Sequence, residues 1–233
     1  STGISASCLT RHNDALLQIM SDVLLNASFQ TEELEKIRKQ TLSGLETEKN
    51  DPKAISRKVS SVVVYGSTHP YGENITEESV KKITLEKCTE FYKTYFKPNV
   101  AYLAIVGDIT PEQAKPIVEK YFGSWQRGDV PKASYPTPRA PAKTTVAVVD
   151  RPNAVQSTIS VAYPLDLKPG SPDEIKVKLT NSILGGGTFR LFNNLREKHG
   201  WTYGAYSSIQ SDKRVGQFNA SAEVRNPVTD SAF

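Results

Sequence analysis

Between Gly128 and Lys143 the chain can form neither a regular helix nor a central strand. Pro131, Pro136, Pro138 and Pro141 each lack the N–H that both ladders need, and each bars the helical region to the residue before it. The segment therefore predicts an extended, proline-rich linker over residues 129–143, dividing the 233 residues into two parts, 1–128 and 144–233. The first part reads mainly as helices and the second mainly as strands. Each has too few strands for a complete two-layer sheet, so the order predicts the later half of one domain followed by the earlier half of a second. The chain thus reads as a piece of something longer, incomplete at both ends.

In the first part, Gly3–Cys8 reads as the end of a strand. Asn13 or Asp14 then caps a helix to about Asn26, with Leu16, Leu17, Met20, Val23 and Leu24 as its apolar stripe. Thr31 opens a second helix to about Asn50, with Leu34, Ile37, Thr41 and Leu45 on one face. Further helices are predicted over Pro52–Tyr65, from Thr84 through Phe96, and from Thr110-Pro111 to Tyr121, with a short turn capped by Thr76. Asn99–Val106, apolar and rich in β-formers, predicts a strand buried on both faces. In the second part, strands are predicted at Thr145–Val149, Gln156–Tyr163, Tyr203–Gln210 and Gln217–Arg225, the last two joined by a hairpin at Asp212–Gly216. A helix spans Asp173–Leu184, and a last one begins near Asn226.

A composition of 38% hydrophobic and 23% charged residues is that of a globular protein with material for a core. The net charge of +4 is spread along the chain rather than blocked, which argues against nucleic acid as a partner. No apolar run reaches the roughly 20 residues of a membrane span. Cys8 and Cys88 make no metal-binding pattern; they read as buried free thiols, with a disulfide between them as the alternative.

The densest chemistry lies in Asn181–Ser207. Gly185, Gly186 and Gly187 separate one helix from the next, and the second carries Phe189, Phe192 and Leu195 on one face until Gly200 ends it. Arg196 lies in the last turn of that helix and Tyr203 at the start of the following strand, so both tips could reach one extended ligand. The alternative is that Arg196 only complements the helix dipole and Tyr203 is an ordinary strand aromatic. The glycines are either a flexible joint or a place where another backbone approaches closely. A phosphate loop is disfavoured, because no Lys-Ser/Thr follows.

Four segments resemble a known family. They are FQTEELEKIRKQTLSGLETEKNDP (Phe29–Pro52), HPYGE (His69–Glu73), FYKTYFKPNVAYLAIVGDI (Phe91–Ile109) and LGGGTFRLFNNLREKHGWTYGAYSS (Leu184–Ser208). The chain is similar to the M16 zinc peptidases, the pitrilysin/insulinase class, whose relatives include mitochondrial processing peptidase and the core proteins of respiratory complex III. The resemblance implies an α+β fold of tandem, mitochondrial-processing-peptidase-like domains, each an antiparallel sheet with helices packed on one face. It also implies peptide-bond hydrolysis by zinc held through H-x-x-E-H and a Glu on a later helix.

That metal site is not written in these residues. His12, His69 and His199 stand far apart, and the family's two acidic positions on the later helix fall on Ile37 and Gly44; Glu46, the nearest carboxylate, would serve only with a shift of register. Matched to the family's non-metal half, Arg196 and Tyr203 become the Arg and Tyr, seven residues apart, that hold substrate carbonyl groups, with Gly185, Gly186 and Gly187 beside the substrate. The resemblance thus implies a non-catalytic subunit that binds no metal itself. A zinc-bearing M16 partner would complete a heterodimer acting on peptides. Two alternatives remain: an active metalloendopeptidase with H-x-x-E-H upstream of Ser1, and a structural, core-type interaction protein. The family's range further suggests the periplasm or cell envelope of a bacterium.

Overall fold

The computed structural model describes residues 2–138 and 141–233. Arg139 and Ala140, within the predicted linker, lie outside the described residues. The chain groups into two compact units, Ser1–Thr41 with Glu78–Ala133 and Leu42–Glu77 with Ser134–Phe233.

The first unit is helical. Helix α1 (Asn13–Leu25) follows a short 3-10 turn and buries Leu17 and Ser21, while Val23, assigned to its stripe, is exposed. Helix α2 (Thr31–Glu48) begins here, with Glu32 and Glu33 in its first turn. Helix α3 (Pro52–Tyr65) belongs to the second unit, and the short α4 (Glu77–Lys81) leads back to the first. Thr84 caps α5 (Leu85–Tyr95) by accepting from the Lys87 N–H, and Thr110 and Gln113 cap α6 (Pro111–Phe122) reciprocally. The Tyr92 ring meets Phe29 and Phe96 edge-on or tilted, and its hydroxyl donates to the Leu24 carbonyl at 2.7 Å. The Trp125 indole donates to the Phe96 carbonyl at 3.2 Å.

Two strand expectations fail in this part of the chain. Residues 2–9 form no strand, and neither do residues 101–106, where Tyr102 is 97% and Val106 96% exposed. A strand exists only as one side of a ladder, and neither segment meets another strand among the described residues. Cys8 and Cys88 are free, as expected, but Cys8 is exposed and Cys88 only half-buried.

The second unit is built on a three-stranded antiparallel sheet: β1 (Gln156–Leu165), β2 (Thr202–Gln210) and β3 (Gly216–Arg225), in the order β1-β3-β2. Residues 145–149 stay irregular and exposed, since no strand among the described residues pairs with them. Alternation sorts the sheet residues into two faces. One carries Ile159, Phe218, Val224 and Ala205, the last three buried. Helix α7 (Glu174–Gly185) packs on that face, with the Asn181 side chain donating to the Ser207 carbonyl and accepting from the Ser207 hydroxyl. The other face carries Thr158, Ser160, Asn219, Ser221 and Ser208. Helix α3 meets it through Lys53–Glu223 (2.8 Å) and Tyr65–Gln217 (3.2 Å).

Candidate functional site

The Asn181–Ser207 stretch folds largely as its punctuation predicts, with one difference that matters for Arg196. Helix α7 ends at Gly185, and Gly187 adopts φ +61°. The next helix is not regular. A three-residue α8 (Arg190–Phe192) runs into a π-helical turn, Asn193–Lys198, which Gly200 ends at φ +62°. Phe189 therefore stands outside the helix and is exposed, correcting its expected place beside Phe192 and Leu195. A π turn spaces its hydrogen bonds by five residues and re-aims the side chains that leave it. Arg196 leaves it toward β2. One guanidinium nitrogen donates to the Tyr203 carbonyl at 3.1 Å, and the guanidinium carbon lies 4.8 Å from the centre of the Phe192 ring.

Strand β2 is distorted at the same point. Its register against β3 shifts between Thr202 and Ala205, and the Thr202 hydroxyl bridges the Gly204 amide and carbonyl. Tyr203 is thereby turned outward, 85% exposed, with its phenol unpaired among the described residues. Arg196 and Tyr203 bound a shared open hollow of about 570 Å³, together with Gln156, Trp201, Thr202 and Arg225. Sequence reasoning missed Gln156 and Arg225. Each ends a strand, and only the pairing Gln156↔Arg225 brings them to one edge. His199, expected as a helix-end residue, caps the π turn and stacks on Trp201 with ring centres 4.2 Å apart.

Gly185, Gly186 and Gly187 do not bound that hollow. A Cβ on Gly185 would lie 2.2 Å from the Ser207 Oγ and 2.3 Å from its backbone nitrogen, so this glycine permits α7 to approach β2 on the apolar face.

A second concentration of polar chemistry lies at the β2–β3 turn. His69 is almost fully buried among Tyr65, Tyr71 and Tyr135, and its Nδ1 accepts from the Tyr71 backbone N–H at 3.1 Å. The Tyr71 hydroxyl donates to Asp212 at 2.8 Å, and Arg214 lies over the Tyr135 ring. Burial, and then the nearby Arg214 cation, lower the His69 pKa. Burial and the Asp212 carboxylate raise those of Tyr65 and Tyr71. Burial would raise Asp212 as well. The Arg214 amide, the Tyr71 hydroxyl and the Val215 amide outweigh it and hold the carboxyl below its usual range.

The residues present do not fit a zinc ion. Among the described residues no three His, Cys, Asp or Glu side chains converge to hold a metal. Gly44 faces open space. Glu46 is paired with Lys49, and Glu48 with Lys58, each at 2.6 Å. His12 accepts from Arg11, and His69 is enclosed by tyrosines. No helix among the described residues is long and apolar enough to cross a membrane.

Comparison with known proteins bears on this arrangement. Residues 82–232 match the family model described as the peptidase M16 inactive domain. The chain is 24% identical, over 91% of its length, to an uncharacterized zinc protease of Bacillus subtilis, YmxG, and covers 51% of that protein. It is 26% identical, over 67% of its length, to a probable inactive metalloprotease of the same organism, YmfF, covering 37% of it. Among solved structures, a peptidase M16 inactive domain from Pseudomonas fluorescens matches 93% of the chain with a TM-score of 0.83 and 28% identity, the chain covering 52% of it. A protease from Helicobacter pylori matches 96% with a TM-score of 0.82 and 17% identity, the chain covering 56% of it. The chain thus spans about half the length, or less, of these curated relatives.

Proposed function

Because the chain belongs to the peptidase M16 family, through the inactive domain that defines its match, we propose that it is the non-catalytic, peptide-holding part of a zinc peptidase. Arg196 and Tyr203 hold the peptide, and the metal resides on a partner chain. The observation that carries this reading is the open hollow in which both side chains stand.

The chemistry follows from the two groups. Arg196 uses one terminal donor on the Tyr203 carbonyl, and its Nε faces the Glu197 carboxylate at 3.6 Å, so the other terminal nitrogen is the one left for the ligand. The Tyr203 phenol adds one more from an exposed position. Donors of this kind pair with backbone carbonyl oxygens of an extended peptide. One aimed at an oxygen on which negative charge develops contributes about 3 kcal/mol to the transition state. Arg225 adds a second cation to the same rim, where the Glu197 carboxylate also stands.

The test is made on the full-length protein assembled with its zinc-bearing partner. Arg196→Ala is expected to lower kcat/KM on the order of a hundredfold, and Tyr203→Phe on the order of tenfold. Unchanged kcat/KM in both variants would discard the peptide-holding role and favour a structural, core-type protein. A second reading is supported by relatives named as zinc proteases: an active peptidase whose H-x-x-E-H pair precedes Ser1 in the polypeptide. Zinc analysis of the full-length protein alone separates the two, since one zinc per chain belongs only to the second.

A further inference from the structure

The sheet of the second unit has one face of unexpected composition. A sheet face that lies under a helix is ordinarily apolar. Here Thr158 and Ser160 on β1, Asn219 and Ser221 on β3, and Ser208 and Gln210 on β2 all stand on the face turned toward α3. The facing wall of α3 contributes Ser56 and Ser60. The helix is held off the sheet at its two ends, by Lys53–Glu223 at 2.8 Å and Tyr65–Gln217 at 3.2 Å. Between these pillars lies a cavity of about 740 Å³, within the size range of ligand pockets.

The walls carry many uncharged donors and acceptors, with the charged Lys53, Arg57, Asp212 and Glu223 among them. The Asn219 carboxamide donates to the Ser160 hydroxyl at 2.8 Å. Thr158, Ser208, Ser221, Ser56 and Ser60 have no side-chain hydrogen bond to the protein among the described residues, so their hydroxyls remain for a ligand or for water. Gly204, next to Tyr203, lines this cavity too, so the cavity begins one residue from the Arg196–Tyr203 hollow.

We propose that this cavity is a channel for the peptide beyond Arg196 and Tyr203, and that it selects segments rich in uncharged polar residues over apolar ones. The inference rests on the peptide-holding reading and names the substrate class. A segment bearing Ser, Thr, Asn or Gln satisfies the wall hydroxyls. One bearing Leu or Phe expels their water and leaves them unpaired. Discrimination built on unpaired hydrogen-bonding groups is stronger than discrimination by apolar fit.

The test uses two fluorescein-labelled twelve-residue peptides, one alternating Ser and Asn, the other alternating Ser and Leu. Each is titrated into the protein by fluorescence anisotropy. The polar peptide is expected to bind at least tenfold tighter. Ser221→Leu is expected to abolish that preference, and Arg196→Ala to weaken both peptides by the same factor. Ser56→Leu, on the helix wall, repeats the experiment without touching the sheet, should Ser221→Leu lower Tm by more than a few degrees. Equal affinities for the two peptides, with Arg196→Ala still weakening both, would overturn the channel and leave the peptide-holding reading standing. A polar preference lost in the leucine variants, with the affinities of both peptides unchanged by Arg196→Ala, would support the channel and count against Arg196. Binding of neither peptide would overturn both.

Discussion

Two glycines of one triplet are glycine for different reasons, and substitution separates them. Gly185 is held against the backbone of Ser207, where a Cβ would lie 2.3 Å from the amide nitrogen. Neither α7 nor β2 can move without breaking the paired Asn181–Ser207 hydrogen bonds. Gly185→Ala is therefore expected to cost about 1–3 kcal/mol, read as a fall in the urea midpoint. Gly187 has open space around it but a φ of +61°, so Gly187→Ala is expected to cost about 1–2 kcal/mol from backbone strain alone. His69 makes a different kind of prediction. Its folded pKa lies below the unfolded value, so the neutral ring favours folding. That contribution is complete above the unfolded value of about 6.5 and is lost as pH falls through the window below it. The urea midpoint of the wild type should drop more steeply than that of His69→Phe between pH 7 and 5. Parallel curves would show that the ring is not buried neutral.

At the scale of elements, a helix could be read wherever a cap and a stripe fall within one short segment. Helix α3 is the clearest case. Asp51 accepts from the Lys53 N–H at 2.9 Å, Pro52 supplies the first-turn φ, and Gly66 leaves at φ +80°, all local signals. Asp51→Ala is expected to cost about 1 kcal/mol in urea unfolding. It should also weaken the Lys53–Glu223 pillar, which stands on that first turn. Helix α7 opens with a carboxylate that ties the preceding turn and the residue following β2 to the helix. Glu174 accepts from Lys178, Ser211 and the Gly170 N–H, which together hold its pKa near 2. A carboxyl lowered in this way stabilises above its unfolded value of about 4.5, and the contribution disappears as pH falls from there toward 2. Glu174→Gln should remove that part of the acid transition, measured by circular dichroism. Strands were less legible. The sequence predicts β2 and β3 because a hairpin pairs neighbours in sequence, and β1 from its composition alone. Residues 101–106 and 145–149 have equally strong β composition, yet form no ladder, because a distant partner is not a property of the segment. The π turn under Arg196 left no sequence signal either. Hence the seven-residue spacing of Arg196 and Tyr203 could be read, but not the hydrogen bond between them.

At the scale of the whole molecule, the unpaired apolar segments govern behaviour in solution. Tyr102 and Val106 are almost fully exposed, and Val148 is 85% exposed. Such runs combine high β-propensity with free backbone donors and acceptors, the combination that pairs edge to edge with other chains. The chain as it stands is therefore expected to self-associate with rising concentration, seen as a growing weight-average mass in sedimentation velocity. Because Val106 and Val148 are so exposed, their substitution should leave the fold intact. Val106→Lys with Val148→Lys is expected to suppress association while shifting Tm by less than about 2 °C, since surface changes usually lie within ±0.5 kcal/mol. Lysine acts here as it does on natural edge strands, where a desolvated charge blocks the next strand. A monomer at all concentrations in the wild type would show that these segments are protected. A double variant that associates as strongly as the wild type would instead place the association on the apolar sheet face, where Val161 and Tyr163 are also exposed.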